Sequence, residues 1–262
     1  MPTVIASSPG RSKDRQYVTA LARGLKILRC FSHERPQLSV QEIVRLTALP
    51  QPTVWRLCHT LSREGFIVPA AESGKLAPGL PVLGLGYAVL VRQALPTVAL
   101  PYMQALTARH RVGVSLAVRD GLEMLYLQRT HGEFIYLNDP VGARRPLATA
   151  PTGWACVAAY DPKQRRSLLE ALRRGDPKAW PVTRAHLERA SEEYRRQGFI
   201  TNLGVMHDQM NSVAAPIRSA RTGAVYGLSA SGLASQWPRK KLLSVGAELV
   251  ALAKDLAAAV AD

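Results

Sequence analysis

Gln51, Arg56, His59 and Arg63 aim hydrogen bonds at flat acceptor edges, and they fall in one short stretch, QPTVWRLCHTLSR. At about 100° per residue, a helix there gathers Val54, Leu57, Cys58 and Leu61 into one apolar stripe. Arg56, His59 and Arg63 then project from the opposite side, Thr53 and Trp55 stand on its flanks, and Gln51 and Pro52 occupy its tip. The chemistry open to such a face is recognition of base edges and phosphates in a major groove. Arg forks onto guanine, Gln onto adenine, and the other polar groups hold phosphates. The same residues also suit an ordinary solvated helix face, and the surrounding elements decide between the two.

Those elements are short and well punctuated. Ser39 with Glu42 three residues later is a capping box that starts a helix carrying Ile43, Val44 and Leu46 inward. Thr47 to Pro50 makes a turn, Pro52 sits where a first helical residue tolerates proline, and Gly65 ends the second helix. Phe66 to Val68, a tight turn at Glu72-Ser73-Gly74, and Lys75-Leu76 then read as a two-strand hairpin. A hairpin in that place is a wing, and Lys75 near its tip is positioned to reach a phosphate. Upstream, Ala20, Leu21, Leu25, Ile27, Leu28 and Phe31 mark an amphipathic helix over Tyr17 to Phe31, the first of three that build this module.

The 262 residues give room for two domains, each with its own core. A net charge of +15 seeks polyanions, so nucleic acid and anionic membrane surfaces are the candidate partners, although a merely Arg-rich proteome gives the same charge. Cys30, Cys58 and Cys156 are odd in number with no C-x-x-C, which points to a reducing cytoplasm. No run approaches the ~20 apolar residues of a membrane helix, and Met1 to Gly10 lacks the charged start and apolar core of a leader, so export and membrane insertion are not expected, and the expected partner is nucleic acid rather than a membrane. The chain has no G-x-S-x-G elbow, H-E-x-x-H, Gly-rich phosphate loop or His/Cys cluster at metal spacing, so no catalytic residue, cofactor or metal is expected. His207-Asp208 reads as a solvated turn, and Gly84-Leu85-Gly86 fails as a dinucleotide loop because no strand precedes it and Val89 stands where a third glycine belongs.

Along the chain, residues 1–15 form a basic tail expected to be disordered, with Arg11, Lys13 and Arg15 able to lie along DNA. Residues 16–79 are the winged helix-turn-helix. Residues 80–95, LPVLGLGYAVLVRQAL, read as a linker helix so apolar that a second subunit is its expected cover. Residues 96–262 form the second domain. It opens with a helix at Thr97 to His110, then a hairpin of Val112 to Arg119 and Leu122 to Arg129 about Asp120-Gly121, and a third strand at Glu133 to Leu137. Helices follow at Thr149 to Tyr160, Lys163 to Arg174 and Arg184 to Gln197, the last capped by Thr183. Phe199 to Asn202, Asn211 to Arg218 and Ala224 to Ser231 return to strands, and Pro238 opens a long C-terminal helix. The fold class is therefore α+β with a mainly antiparallel sheet.

With LARGLKIL, LPQPTVWRLCHTLSREGFI, VGARRPLATAPTGWA, SVAAPI and YGLSASG in this order, nearly the whole chain from about residue 17 resembles the IclR family of bacterial transcriptional regulators. The resemblance implies operator binding by the N-terminal module and a GAF-like C-terminal domain, an antiparallel sheet flanked by helices, that senses a small molecule. It also implies a homo-oligomer, either a dimer or a dimer of dimers. Placed residue by residue, the family's effector site falls at Ala150, Pro151 and Thr152, at Asn202, at Ser212, and at Ser229 with Ser231. Residues two apart in a strand face one way, so the last two hydroxyls can converge on a ligand or simply permit close sheet packing.

Departures from the family pattern shape the expected ligand. Many members carry a carboxylate at the place of Asn202, a cysteine at Ser212, and a His and a Lys where this chain has Ala148 and Trp154. Without that carboxylate a small oxo acid fits less well. Trp154, Tyr126 and Tyr136 offer aromatic surface and Arg144 and Arg145 offer cationic forks, so the expected effector is an aromatic or otherwise planar organic acid. The competing classes are a small-molecule-processing enzyme and a non-specific basic nucleic-acid-binding protein. The first lacks a motif, and an RNA-binding version of the second lacks an aromatic stacking platform.

Overall fold

A computed structural model describes residues 15–71, 73–91, 94–132, 139–220 and 222–259. Residues 1–14 of the basic tail, Glu72 of the wing turn and the strand expected at Glu133 to Leu137 with Tyr136 lie outside these residues. The chain divides into two compact units, Met1–Arg92 and Gln93–Asp262.

In the first unit, α1 (Thr19–Leu28), α2 (Val40–Thr47) and α3 (Gln51–Arg63) precede β1 (Ile67–Pro69), β2 (Leu76–Pro78) and α4 (Leu80–Val91). The Ser39 box closes in both directions: Ser39 N donates to Glu42 Oε2 at 2.8 Å, and Glu42 N donates to Ser39 Oγ at 3.2 Å. Ile27, Cys30, Leu38, Ile43, Leu46, Val54, Cys58 and Ile67 form the core beneath them. The apolar stripe of α1 is wider than that core. Val18, Leu21 and Leu25, at i, i+3 and i+7, stay exposed while Ile27 is buried. Gly65, at φ 74°, takes the left-handed turn that ends the α3 segment. β1 and β2 pair antiparallel, with Ile67 opposite Pro78, and Leu38 adds a bridge to Leu76. On α4, Leu80, Leu83, Leu85 and Tyr87 are all exposed.

The second unit contains α5 (Ala94–His110), β3 (Gly113–Asp120), β4 (Glu123–Thr130), β5 (Arg144–Pro146), α6 (Pro151–Ala159), α7 (Pro162–Gly175), α8 (Trp180–Gln197), β6 (Ile200–Leu203), β7 (Met210–Arg218), β8 (Val225–Leu233) and α9 (Arg239–Ala259). Two helices start earlier than their punctuation predicts. α5 begins before Pro96, which falls in a first turn whose N–H groups have no helical acceptor anyway. α8 begins at Trp180, and Thr183 is an interior residue whose N–H bonds to Ala179 O at 3.0 Å, so Thr183 is not the cap.

The described strands of this unit form one sheet in the order β5-β4-β3-β8-β7-β6, with every neighbouring pair antiparallel. α5 and α9 pack on one face, where the Thr107 and Thr130 hydroxyls meet at 2.5 Å and Phe199 fills the space over Gly246. α6 lies on the other face, backed by α7 and α8. Gly227 makes that approach possible, because a Cβ there would stand 2.4 Å from Thr152 O.

Candidate functional site

Two regions present chemistry. The first is the outer face of α3. Val54 and Cys58 are buried, whereas Gln51, Pro52, Trp55, Arg56, His59 and Arg63 are exposed and Thr53 is half-buried. Trp55 is 60% exposed, a large apolar side chain left in solvent, and its ring stacks on His59 at 5.7 Å and 10°. Among the described residues, the guanidinium groups of Arg56 and Arg63 have no ion-pair or hydrogen-bond partner. Pro50 precedes the helix without a side-chain cap, so the first N–H groups of α3 add positive potential at its tip. The Lys75 ammonium lies 3.9 Å from Glu42 Oε2, so the wing lysine sits beside the capping box. The hydrogen bonds from Ser39, and then Lys75 and Arg45, hold the Glu42 carboxyl below its usual range.

The second region is the sheet face beneath α6. Registered partners share a face, so Asn202, Ser212, Ser231 and Gly113 make one rung across β6, β7, β8 and β3. Ala214, Ser229, Ser115 and Arg129 make the next rung, and Pro216, Gly227, Ala117 and Tyr126 the one after. Ala150, Pro151 and Thr152, at the start of α6, are fully buried over this face. The expected residues thus meet on one surface, yet their polar atoms differ in availability. Asn202 Nδ2 donates to Thr149 O at 3.1 Å, and its Oδ1 accepts from Val205 N at 3.2 Å and Met206 N at 3.4 Å. Asn202 is therefore a clamp between the α6 approach and the loop after β6. Ser212 and Ser231 share a hydrogen bond at 2.8 Å.

Ser115 and Arg129 also belong to this surface, brought there by strand register rather than by any spacing along the chain. Arg129 is nine-tenths buried on β4, with Nη1 at 3.3 Å from both Asp139 O and Asp139 Oδ2. Its guanidinium lies 5.7 Å from the Tyr126 ring centroid. Asp139 also accepts from Arg145, at 3.0 Å from Nε. Burial is the main cause that pushes the Tyr126 phenol above its ordinary range. The aromatic and cationic groups expected nearby divide. Trp154 donates Nε1 to Ala148 O at 2.8 Å and its ring meets His186 of α8 at 5.1 Å, so it fastens α6 to α8. Arg144 pairs with Asp120 and Glu123 in solvent.

The three thiols are buried, and burial pushes Cys58 up to about 11 and Cys156 up to about 12, so at neutral pH these two are packing groups. Among the described residues no group of three His, Cys, Asp or Glu could hold a metal ion, and no single helix is long and apolar enough to cross a membrane.

Comparison with known proteins matches both units. The model of the IclR helix-turn-helix domain covers residues 20–70, and that of the bacterial transcriptional regulator IclR C-terminal domain covers residues 87–258. The HTH-type transcriptional regulator TsaQ1/TsaQ2 of Comamonas testosteroni is 32% identical over 245 residues, spanning 92% of this chain and 88% of the relative. The crystal structure of an IclR family transcriptional regulator from Brucella abortus aligns with TM-score 0.85 and 38% identity, over 99% of this chain and 98% of that one. An IclR homolog from Microbacterium hydrocarbonoxydans, complexed with 4-hydroxybenzoate, shares the fold at TM-score 0.73 and 24% identity, over 92% and 99% of the two chains. The chain belongs to the IclR family of bacterial transcriptional regulators.

Proposed function

We propose that residues 16–79 read double-stranded operator DNA and that residues 96–262 sense a small organic acid, with residues 80–95 as the linker between them. The observation that carries this reading is the division of α3: Val54 and Cys58 face the core while Arg56, His59 and Arg63 are exposed on the outside. Gln51, Thr53, Trp55 and Arg56 are the base-reading candidates, and His59, Arg63 and Lys75 the phosphate-holding ones, Lys75 by exchanging its contact with Glu42 for a backbone phosphate. The work is done by coupled binding in the cytoplasm, without a catalytic step.

The effector surface is the sheet face beneath α6, with Ala150, Pro151, Thr152, Ser212, Ser229 and Ser231 around the ligand and Asn202 fixing the α6 approach from behind. A homolog of this fold binds 4-hydroxybenzoate, which supports an aromatic acid here. The working form is a homo-oligomer, a dimer or a dimer of dimers. Val18, Leu21 and Leu25 on α1 and Leu80, Leu83, Leu85 and Tyr87 on α4 are apolar and exposed, and a second copy covers them best. An effector that favours one arrangement of the sensing units then changes operator affinity.

Fluorescence anisotropy on the DNA upstream of its own and neighbouring genes tests this, against scrambled DNA and across a salt series. Tight binding confined to one upstream segment is expected. Equal binding to scrambled DNA that vanishes with salt would instead make the protein a non-specific polycation, because counterion release alone gives that behaviour.

A further inference from the structure

We propose that Arg129 anchors the acid group of the effector, with the Thr152 hydroxyl as a second donor, on the α6 face of the sheet. This rests on the reading of residues 96–262 as an acid-sensing unit and adds the residue that selects the acid. Neither Arg129 nor its role follows from the positions assigned by resemblance.

Two buried polar atoms on this face lack partners among the described residues. Arg129 Nε and Thr152 Oγ1 are both buried and find no hydrogen-bond partner among the described residues. Native interiors rarely leave such groups unpaired, and an unpaired donor on a charged group is the most unfavourable kind. The two belong to one place. The Arg129 guanidinium lies 5.7 Å from the Tyr126 ring centroid, and Thr152 packs against Gly227, which shares a rung with Ala117 and Tyr126.

The guanidinium is already oriented. Asp139 takes Nη1 from one side and thereby leaves the Nε edge of the fork turned away from it. A carboxylate on that edge would gain charge-assisted hydrogen bonds of the forked kind that favour Arg over Lys. Asp139 is a positioning residue in this scheme, and it is also engaged by Arg145. The rest of the Arg129 rung is Ser115, Ser229 and Ala214, short side chains over which a flat ligand can lie. The first turn of α6 contributes too: its helical bonding begins with Trp154 N to Ala150 O at 3.1 Å, so the preceding N–H groups direct positive potential at the same face.

The test is calorimetric titration of the full-length protein with benzoate, 4-hydroxybenzoate and phenylacetate, each beside its primary amide. The amides keep the shape and lose the charge, so the acids should bind at least ~10-fold more tightly. Arg129→Gln should erase that preference, and Arg129→Lys should keep only part of it. In either variant Asp139 retains Arg145, and thermal melting checks the fold. Should Arg129→Gln melt below the assay temperature, Arg129→Lys and the acid-to-amide ratio of the unmodified protein carry the test. Equal acid binding with and without Arg129, or amides bound as well as acids, overturns the anchor. Binding by none of the acids overturns both the anchor and the acid-sensing reading.

Discussion

α3 and α6 both begin at a proline-bearing turn without a side-chain cap, yet one is an outside helix and the other an inside one. On α3 the polar side chains stand in solvent, where unused donors carry little penalty and a large polyanion can reach them all. Every residue from Pro151 to Val157 of α6 is buried, and the unused donors here, on Thr152 of the helix and Arg129 of β4, are costly to leave alone. The contrast separates two kinds of recognition. An exposed face is completed by a macromolecule and read by its charge and spacing. In the proposed scheme the buried face is completed by a ligand small enough to enter, and the unmet hydrogen bonds there select an acid.

Removing the scaffold of one region should leave the other intact, and these changes carry the largest expected effects. Ile43→Ala opens a cavity in the reading head and should cost that unit about 2–5 kcal/mol. Separate melting transitions should show the loss in the head alone, with acid binding intact. A loss of acid binding at temperatures where the sheet unit is folded would contradict the division. Gly227→Ala is the complementary change. Its Cβ would meet the Thr152 backbone, so α6 must shift at a cost of about 1–3 kcal/mol, and calorimetry should find acid binding weakened while binding to DNA without acid persists.

Arg56→Ala leaves both folds alone. If Arg56 forks onto a base, discrimination between operator and single-base variants should fall by about 1–3 kcal/mol, measured by competition. Equal weakening on every sequence would move Arg56 to a phosphate. The smallest effect is expected at the Ser39 cap, where Ser39→Ala should cost the head about 1 kcal/mol in denaturant. The pH dependence has a defined sign. Glu42 has a folded value below the ordinary 4.5, so its support is complete above the unfolded value and is lost as pH falls through the folded one. The deficit of Glu42→Gln relative to the unmodified head should therefore shrink on acidification.

The reading head was largely legible because its signals are local. Ser39 and Glu42 are three residues apart, and one apolar stripe orients α3. What escaped there was the surface of α1, since periodicity marks Leu21 and Leu25 as apolar without saying whether the core is wide enough to take them. The sheet face was legible in its strands and not in its rungs. Ser115, Ser229 and Arg129 become neighbours only through the registers of β3 with β8 and β4, and β4 carries an irregularity beside Ala117 that shifts Arg129 by one place. No spacing along the chain encodes that. Trp154 misled for a related reason: it is aromatic and close in sequence to Thr152, but helical geometry turns it toward His186 of α8.

In the proposed mechanism an acid on the sheet unit and DNA on the head are coupled, and thermodynamic linkage is the sharpest probe of that coupling. The affinity of the acid that changes operator binding should be measured by calorimetry twice, with and without saturating operator duplex. Operator should change acid affinity by the same factor by which acid changes operator affinity. Acid affinity unmoved by the operator, alongside acid-sensitive operator binding, would contradict it.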